Sequence, residues 1–415
     1  MQQRRVVVTG IGALTPIGNN IQEYWSALIN GVSGSDWITG FDASKFKTQF
    51  ACEVKNFDAA GYFDRKEARK LDPFSQFGIV AADEAMADAN FNLDTIDRDR
   101  FGVIMGSGIG GIQFHTEQVF EFAKGDGSPR FNPFFIPKMI IDITSGHISI
   151  KYGLRGPNYS SVSACATSTN CLIDGYMLIR MGYADVILAG GSEAPINETG
   201  VGGFNAMKAL SENNDEYKSA SRPFDSRRDG FVIGEGAGAL ILEDYEHAKR
   251  RGAKIYAELA GVGMSADAHH ITAPAPDGNG AKRVMAGVIA DAGLTPADVD
   301  YVNVHGTSTP LGDISETLAI KHVFGEYASK INISSTKSMT GHLLGAAGAI
   351  EAIASILAMQ NGIIPPTVHH VVDDPECDLN YTFNQAQKRE VKVAISNTFG
   401  FGGHNASVLF KKLEA

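Results

Sequence analysis

Cysteine is scarce in this chain, and the spacing of the few present is informative. Only Cys52, Cys165, Cys171 and Cys377 occur in 415 residues, with no CxxC pair. That fits a reducing compartment and excludes a disulfide framework or a zinc cluster, both of which need paired or clustered cysteines. Positive charge is also in deficit: 36 Lys and Arg against 47 Asp and Glu give a formal net charge of -11. Nucleic acids and anionic membranes are held by an excess of basic residues, so no nucleic acid and no membrane surface is expected as the main partner. No charged-then-apolar leader precedes the first strand and no uninterrupted apolar run reaches membrane-spanning length, so a cytoplasmic location is expected. What is present is 44% hydrophobic and 20% charged, an ordinary globular composition long enough for two core-bearing units.

The first strand, Arg5 to Gly10, runs into a Gly10-x-Gly12 turn. Thr15 stands where a dinucleotide fingerprint needs its third glycine and Pro16 follows, which argues against a nucleotide site. Asp64 to Lys70 carries four basic residues, Arg65, Lys66, Arg69 and Lys70, a run that is usually a solvated face. The pattern Phe77, Val80, Ala81, Ala85, Met86 predicts a helix over 73–90, followed by a strand over 101–105 and a glycine-rich turn over 106–111. The stretch Tyr159 to Cys171, continuing to Leu178, predicts strand, sharp turn and helix, with Cys165 at the turn. The second part repeats this outline: a helix over 281–292, a strand over 301–305, a turn over 306–312, and a strand and turn over 330–342 leading to a helix over 343–360. Two copies of one α/β unit are therefore expected, 1–250 and 251–415. In such a pair equivalent turns meet at the centre, which would bring Cys165 and His342 together.

A thiol at a helix N-terminus faces unpaired N–H groups and the positive end of the dipole, which predicts a lowered thiol pKa. The competing reading is a small buried hydrophobe. One thiol, histidines at two strand-to-helix turns and a nearby lysine suit acyl transfer through a thioester, with the glycines at 400, 402 and 403 shaping a loop that can offer N–H groups to an oxyanion. His269-His270 and His369-His370 are adjacent pairs rather than i,i+4 pairs, so no metal site is expected. Cys171 reads as structural.

Six segments then resemble one family: Ser163-Ala-Cys-Ala-Thr-Ser168, Arg222-Pro-Phe-Asp225, Arg228 to Gly238, Val304-His-Gly-Thr-Ser-Thr-Pro310, Thr336 to Gly348 and Asn397-Thr-Phe-Gly-Phe-Gly-Gly403. In this order they are similar to the motifs of β-ketoacyl-[acyl-carrier-protein] synthases across essentially the whole chain. The resemblance implies a thiolase-like α/β fold, two repeated halves layered α-β-α-β-α, usually a homodimer, that elongates fatty acids. It implies Cys165 as nucleophile, His305 and His342 assisting decarboxylation of malonyl-carrier, and Lys337 tuning that histidine's surroundings. The N–H groups of Cys165 and Phe401 would form the oxyanion hole. Thr307 and Thr309 would contact the pantetheine arm, Phe399 and Phe401 would gate the thiol, and Ile109 would lie at the base of the acyl pocket. No cofactor is implied, since the phosphopantetheine belongs to the carrier. His342 in place of Asn points to an elongating enzyme rather than an initiating one, and Ile109 to its type II. His404 stands where many bacterial members have Thr. An acidic carrier would give the basic run a purpose, with Lys124, Arg130 and Lys208 as further docking candidates. A polyketide or specialised-lipid ketosynthase shares every motif quoted. A chain-length partner shares the fold but typically lacks the cysteine.

Overall fold

The computed structural model describes residues 4–413. Its main sheet has ten strands: β1 (Val6–Leu14), β2 (Phe101–Gly106), β3 (Asn158–Tyr159), β4 (Val186–Glu193), β5 (Gly236–Asp244), β6 (Ala257–Ala266), β7 (Tyr301–Asn303), β8 (Asn332–Ser334), β9 (Val393–Gly400) and β10 (His404–Lys411). Their order is β8-β7-β9-β10-β6-β1-β5-β4-β2-β3. The first five strands run 1-5-4-2-3 outward from the middle and the last five run 6-10-9-7-8, so the expected duplication is present as one topology used twice. In each half the second strand lies parallel to the third and fourth, and the fifth lies antiparallel to the fourth and first. The halves join where β1 and β6 pair over Val6–Val8 and Ala257–Leu259.

Six helices matter here: α1 (Pro73–Ala89), α2 (Ile112–Lys124), α3 (Thr167–Arg180), α4 (Asn279–Asp291), α5 (Pro310–Phe324) and α6 (Ala347–Asn361). Local chemistry sets the ends of α1: the Asp72 carboxylate accepts the Phe74 N–H at 3.3 Å, Pro73 takes the first position, and Asn90 stops the helix in the left-handed region at φ 51. Three apolar layers follow from which faces are buried. α1 packs on one side of the first half-sheet, α4 and α5 on the far side of the second, and α3 and α6 share the layer between. This is the expected α-β-α-β-α order.

α6 is buried on every side and, apart from Glu351 and Ser355, apolar up to Met359, as a helix enclosed by protein must be. Leu344–Asn361 is, among the described residues, the one stretch long and apolar enough to cross a membrane by length and composition, and 89% of it is buried in the core.

Three boundaries differ from expectation. β3 is only Asn158–Tyr159, and Cys165 follows not from a strand but from an irregular run in which the Ser163 N–H donates to Thr167 Oγ1 at 2.9 Å. A side-chain acceptor there takes the backbone donor that a strand would have used. The first strand of the 301–305 pattern ends at Asn303, leaving His305 beyond it. α6 starts at Ala347 rather than at 343, because Leu344 is left-handed at φ 45.

Candidate active site

The two helix starts at the centre are built alike. Ala164 at φ 52 and Leu344 at φ 45 each open a single 3-10 turn, Ala164–Ala166 and Leu344–Ala346, that feeds α3 and α6. The partner of Cys165 in the repeat is therefore Gly345, and the expected mirror placement of His342 shifts by three residues. His342 instead lies in an extended segment: its N–H donates to the Val232 carbonyl at 2.8 Å, and its carbonyl accepts the Gly234 N–H at 2.9 Å. His305, just past β7, is held by Glu316, whose two carboxylate oxygens accept the His305 and Gly306 N–H groups at 3.0 and 2.9 Å.

These placements bring the two imidazoles together at 5.3 Å between ring centroids, nearly perpendicular at 87°. Phe231 packs edge-on against His342 and Phe399 against His305. Burial, and behind it the charge of Lys337, pushes both imidazole pKa values well below 6.5. Both rings are thus neutral, and each Nδ1 is buried with no hydrogen-bond partner among the described residues. A neutral imidazole keeps one N–H donor and one acceptor. Lys337 is itself fully buried and forms an ion pair with Glu351 on α6. Burial raises the Glu351 carboxyl to about 7 against the pull of Lys337. An unpaired ammonium at this depth would be prohibitive.

Cys165 does not behave as its helix N-terminus suggested. Burial pushes its thiol up to about 12, opposed by the Lys337 charge and by the N–H groups of Phe401 and of Cys165 itself. Desolvation of the anion outweighs the helix end in the unliganded site. The same two N–H groups are thus set beside the sulfur, at the wall of the cavity. Gly400 makes the approach possible: a side-chain carbon there would lie 2.6 Å from the Ser163 carbonyl and 3.1 Å from the Cys165 nitrogen. The Phe399–Gly403 loop is pinned from outside, with the Gly402 N–H donating to the Ile271 carbonyl at 2.7 Å and the Asp267 N–H to the Gly403 carbonyl at 2.9 Å.

One cavity of about 570 Å³ collects Cys165, His305, His342, Phe399 and Phe401, with Ile109 in its wall and Thr307 and Thr309 also lining it. The two threonine hydroxyls lie 3.0 Å apart. Lys337 is not in the lining, although its charge is felt by both histidines. Of the basic residues singled out in the sequence, Lys208 lines the cavity. Arg65, Lys66, Arg69, Lys70 and Lys124 are exposed outside it, and Arg130 pairs loosely with Asp126 at 3.8 Å. Among the described residues no group of three or more His, Cys, Asp or Glu side chains could hold a metal ion. Sequence reasoning passed over Glu351 and Glu316. The signal for Glu351 was present, since it is the only charged residue in α6.

Neutral, buried histidines make stability pH-dependent with a definite sign. Both bind a proton more weakly folded than unfolded, so the unfolded chain takes up protons first as pH falls through 6.5. The contribution is complete above that pH and is lost below it, by about 1.4 kcal/mol per pH unit per histidine. Urea midpoints measured from pH 7.5 to 5 should fall less steeply in His305→Asn/His342→Asn than in the parent. Equal slopes would show that the pair is not held neutral.

The chain matches two family models in order: the beta-ketoacyl synthase N-terminal domain over residues 3–248 and the C-terminal domain over residues 256–371. It is 49% identical over 418 residues to 3-oxoacyl-[acyl-carrier-protein] synthase 2 of Staphylococcus aureus, covering 100% of both chains. It is 48% identical to the protein of the same name from Synechocystis sp., covering 100% of this chain and 99% of that one. Among solved structures it is similar to a type II polyketide ketosynthase in complex with its acyl-carrier protein and bound to a hexaketide, at 38% identity and TM-score 0.90 with both chains fully covered. A beta-ketoacyl synthase from Burkholderia phymatum gives 35% identity and TM-score 0.92, covering 99% of this chain and 100% of that one. On these full-length matches the chain belongs to the β-ketoacyl synthase family.

Proposed function

We propose that this chain catalyses the decarboxylative condensation of an acyl-carrier-protein thioester with malonyl-carrier, giving a 3-oxoacyl-carrier and elongating fatty acids. The observation that carries the reading is one buried thiol with two backbone N–H groups beside it and two neutral imidazoles in a single cavity. Cys165 sulfur attacks the acyl carbonyl, the N–H groups of Cys165 and Phe401 hold the oxyanion, and the pantetheine thiol leaves with the proton that Cys165 gives up. Because the free thiol is raised to about 12, that proton departs as the carbonyl arrives rather than beforehand. The malonyl thioester next loses carbon dioxide, and the enolate oxygen takes hydrogen bonds from His305 and His342. Its carbon attacks the Cys165 thioester, and collapse releases the sulfur. Burial, helped by the Lys337 charge, keeps both imidazoles neutral, so each remains a donor without titrating. Thr307 and Thr309 face the pantetheine arm, Phe399 and Phe401 flank the thiol, and Ile109 bounds the acyl chain. The reaction draws on no cofactor of the enzyme itself.

Assembly-line ketosynthases share the fold, and solved ketosynthase complexes match at 26 to 38% identity. The higher identity to the 3-oxoacyl-[acyl-carrier-protein] synthases favours the fatty-acid reading. A chain-length partner is disfavoured by the intact Cys165.

Two surfaces belong to the same proposal. The exposed run Arg65, Lys66, Arg69 and Lys70, with Lys124, Arg130 and Lys208, steers the acidic carrier. A homodimer forms across the free edge of β3, since an unpaired edge whose own Tyr159 is exposed, and against which the Ile143–Tyr152 helix packs with Ile150 exposed, is a surface that another chain covers. A cytoplasmic location completes the reading.

Mixing the enzyme with acyl-carrier should add the acyl mass to Cys165, and Cys165→Ala should cut condensation by roughly a thousandfold or more while malonyl decarboxylation remains measurable. A folded parent enzyme that takes no acyl group would defeat the mechanism. Reversing Arg69 and Lys70 to Glu should raise KM for acyl-carrier by roughly tenfold at low salt and much less at high salt. An unchanged KM would place docking elsewhere. Sedimentation should give twice the chain mass, shifting towards a single chain in Ile150→Asp; a monomeric parent would refute the interface.

A further inference from the structure

Glu193, at the end of β4, is a fully buried carboxylate that the condensation as proposed does not use. It accepts four hydrogen bonds: from Ser107 Oγ at 2.6 Å, and from the N–H groups of Gly108 at 2.6 Å, Ile109 at 3.1 Å and Gly345 at 2.8 Å. Three of these donors lie in the turn after β2, in the first half of the chain. The fourth lies in the 3-10 turn that starts α6, in the second half. One side chain therefore ties together two segments that have no covalent reason to keep a fixed distance.

Nothing else intervenes between them. A side-chain carbon on Gly108 would lie 2.7 Å from Glu193 Oε2, 3.4 Å from the Gly345 nitrogen and 3.5 Å from the Ala164 carbonyl. One on Gly345 would lie 2.2 Å from the Gly108 nitrogen. The turn is thus pressed by bare backbone against both 3-10 turns at once. The residues hung on these turns are the apolar side chains Ile109 and Leu344, which line the cavity and pack in one cluster with Cys165 and Phe231. Leu344 is held there in a left-handed conformation, which a non-glycine residue keeps only when its surroundings enforce it.

We infer that Glu193 is a positioning residue for acyl-chain selectivity: by tying the Ser107–Ile109 turn to the Leu344–Ala346 turn, it fixes the spacing of Ile109 and Leu344 and hence which acyl chains fit beside Cys165. This rests on the condensing function proposed above. A carboxylate is the side chain suited to the task. It offers acceptors only, so all four donors are met, whereas an amide of the same shape would set an NH2 against N–H groups. Buried donors left unmet would drive the turns apart.

The test is a ratio within each variant, so that a general loss of activity cancels. Self-acylation of Cys165 is followed by mass spectrometry with hexanoyl- and tetradecanoyl-carrier in the parent, in Glu193→Gln and in Ser107→Ala, which removes one of the four donors and stands in if the first does not fold. Glu193→Gln should raise the tetradecanoyl-to-hexanoyl rate ratio about tenfold, the scale on which an apolar pocket discriminates a small misfit. Ser107→Ala should move it the same way by less, and the double variant by less than the product of the two. Folded variants that slow both donors in equal proportion would overturn the inference, because a merely structural carboxylate predicts that result. If the parent takes up neither acyl group, it is the condensing function that fails.

Discussion

Two helix starts can share one cavity only if their backbones nearly touch, and that approach is the constraint on which the molecule depends. At Gly348 on α6 a side-chain carbon would lie 2.0 Å from Thr169 Oγ1 on α3. In place of side chains the contact is made by small polar groups: the Ala349 N–H donates to Ser168 Oγ at 2.9 Å, and Thr398 Oγ1 donates to Thr169 Oγ1 at 2.8 Å. Every polar atom in such a seam has to be met locally, because no water is available to it. The reward is geometric. Two helix N-termini, one from each half, open on the same space, and residues far apart in the chain become neighbours at the thiol.

Burial on that scale decides the electrostatics. Desolvation disfavours whichever form of a group is charged, so it raises the Cys165 thiol and lowers both histidines at once. An uncharged resting site results. Lys337, a full charge kept at depth behind the cavity, is admitted because Glu351 meets it inside the core. Its field reaches the thiol and both rings without the ammonium entering the cavity. That division lets the same lysine favour a developing thiolate and disfavour an imidazolium, and both effects suit the proposed nucleophile and its flanking hydrogen-bond donors.

The duplication was legible in the sequence because helix and strand periods recur in the same order, and the catalytic candidates because each stands in a glycine- or threonine-rich turn that a packing role does not require. Eight of the nine residues proposed to act at the thiol line the cavity, and Lys337 stands behind it. What escaped notice has physical causes. α5 begins inside what read as a turn, since Pro310 suits a first helical position as well as a turn and Gly312 follows it closely. β6 carries Gly261 and Gly263, which dilute the alternation by which a strand is recognised. The thiol shift went the wrong way because the helix end is visible in sequence while the depth of burial is not. Glu316 and Glu193 drew no attention for the same reason, since only tertiary packing brings their N–H donors to them.

The equivalence of Cys165 with Gly345 shows how a repeated fold makes a single site. Both turns share the left-handed entry and the 3-10 twist, so each could in principle present a side chain to the centre. Two thiols there would compete for one set of oxyanion donors. The second turn instead carries no side chain at the corresponding position, and the vacated space is filled by the Gly108 backbone and the Glu193 carboxylate. Its chemistry moves three residues upstream to His342, where an extended backbone rather than a helix start holds the ring. The repeat supplies the frame twice and the proposed nucleophile once, and the asymmetry of the site lies in what the second copy leaves out.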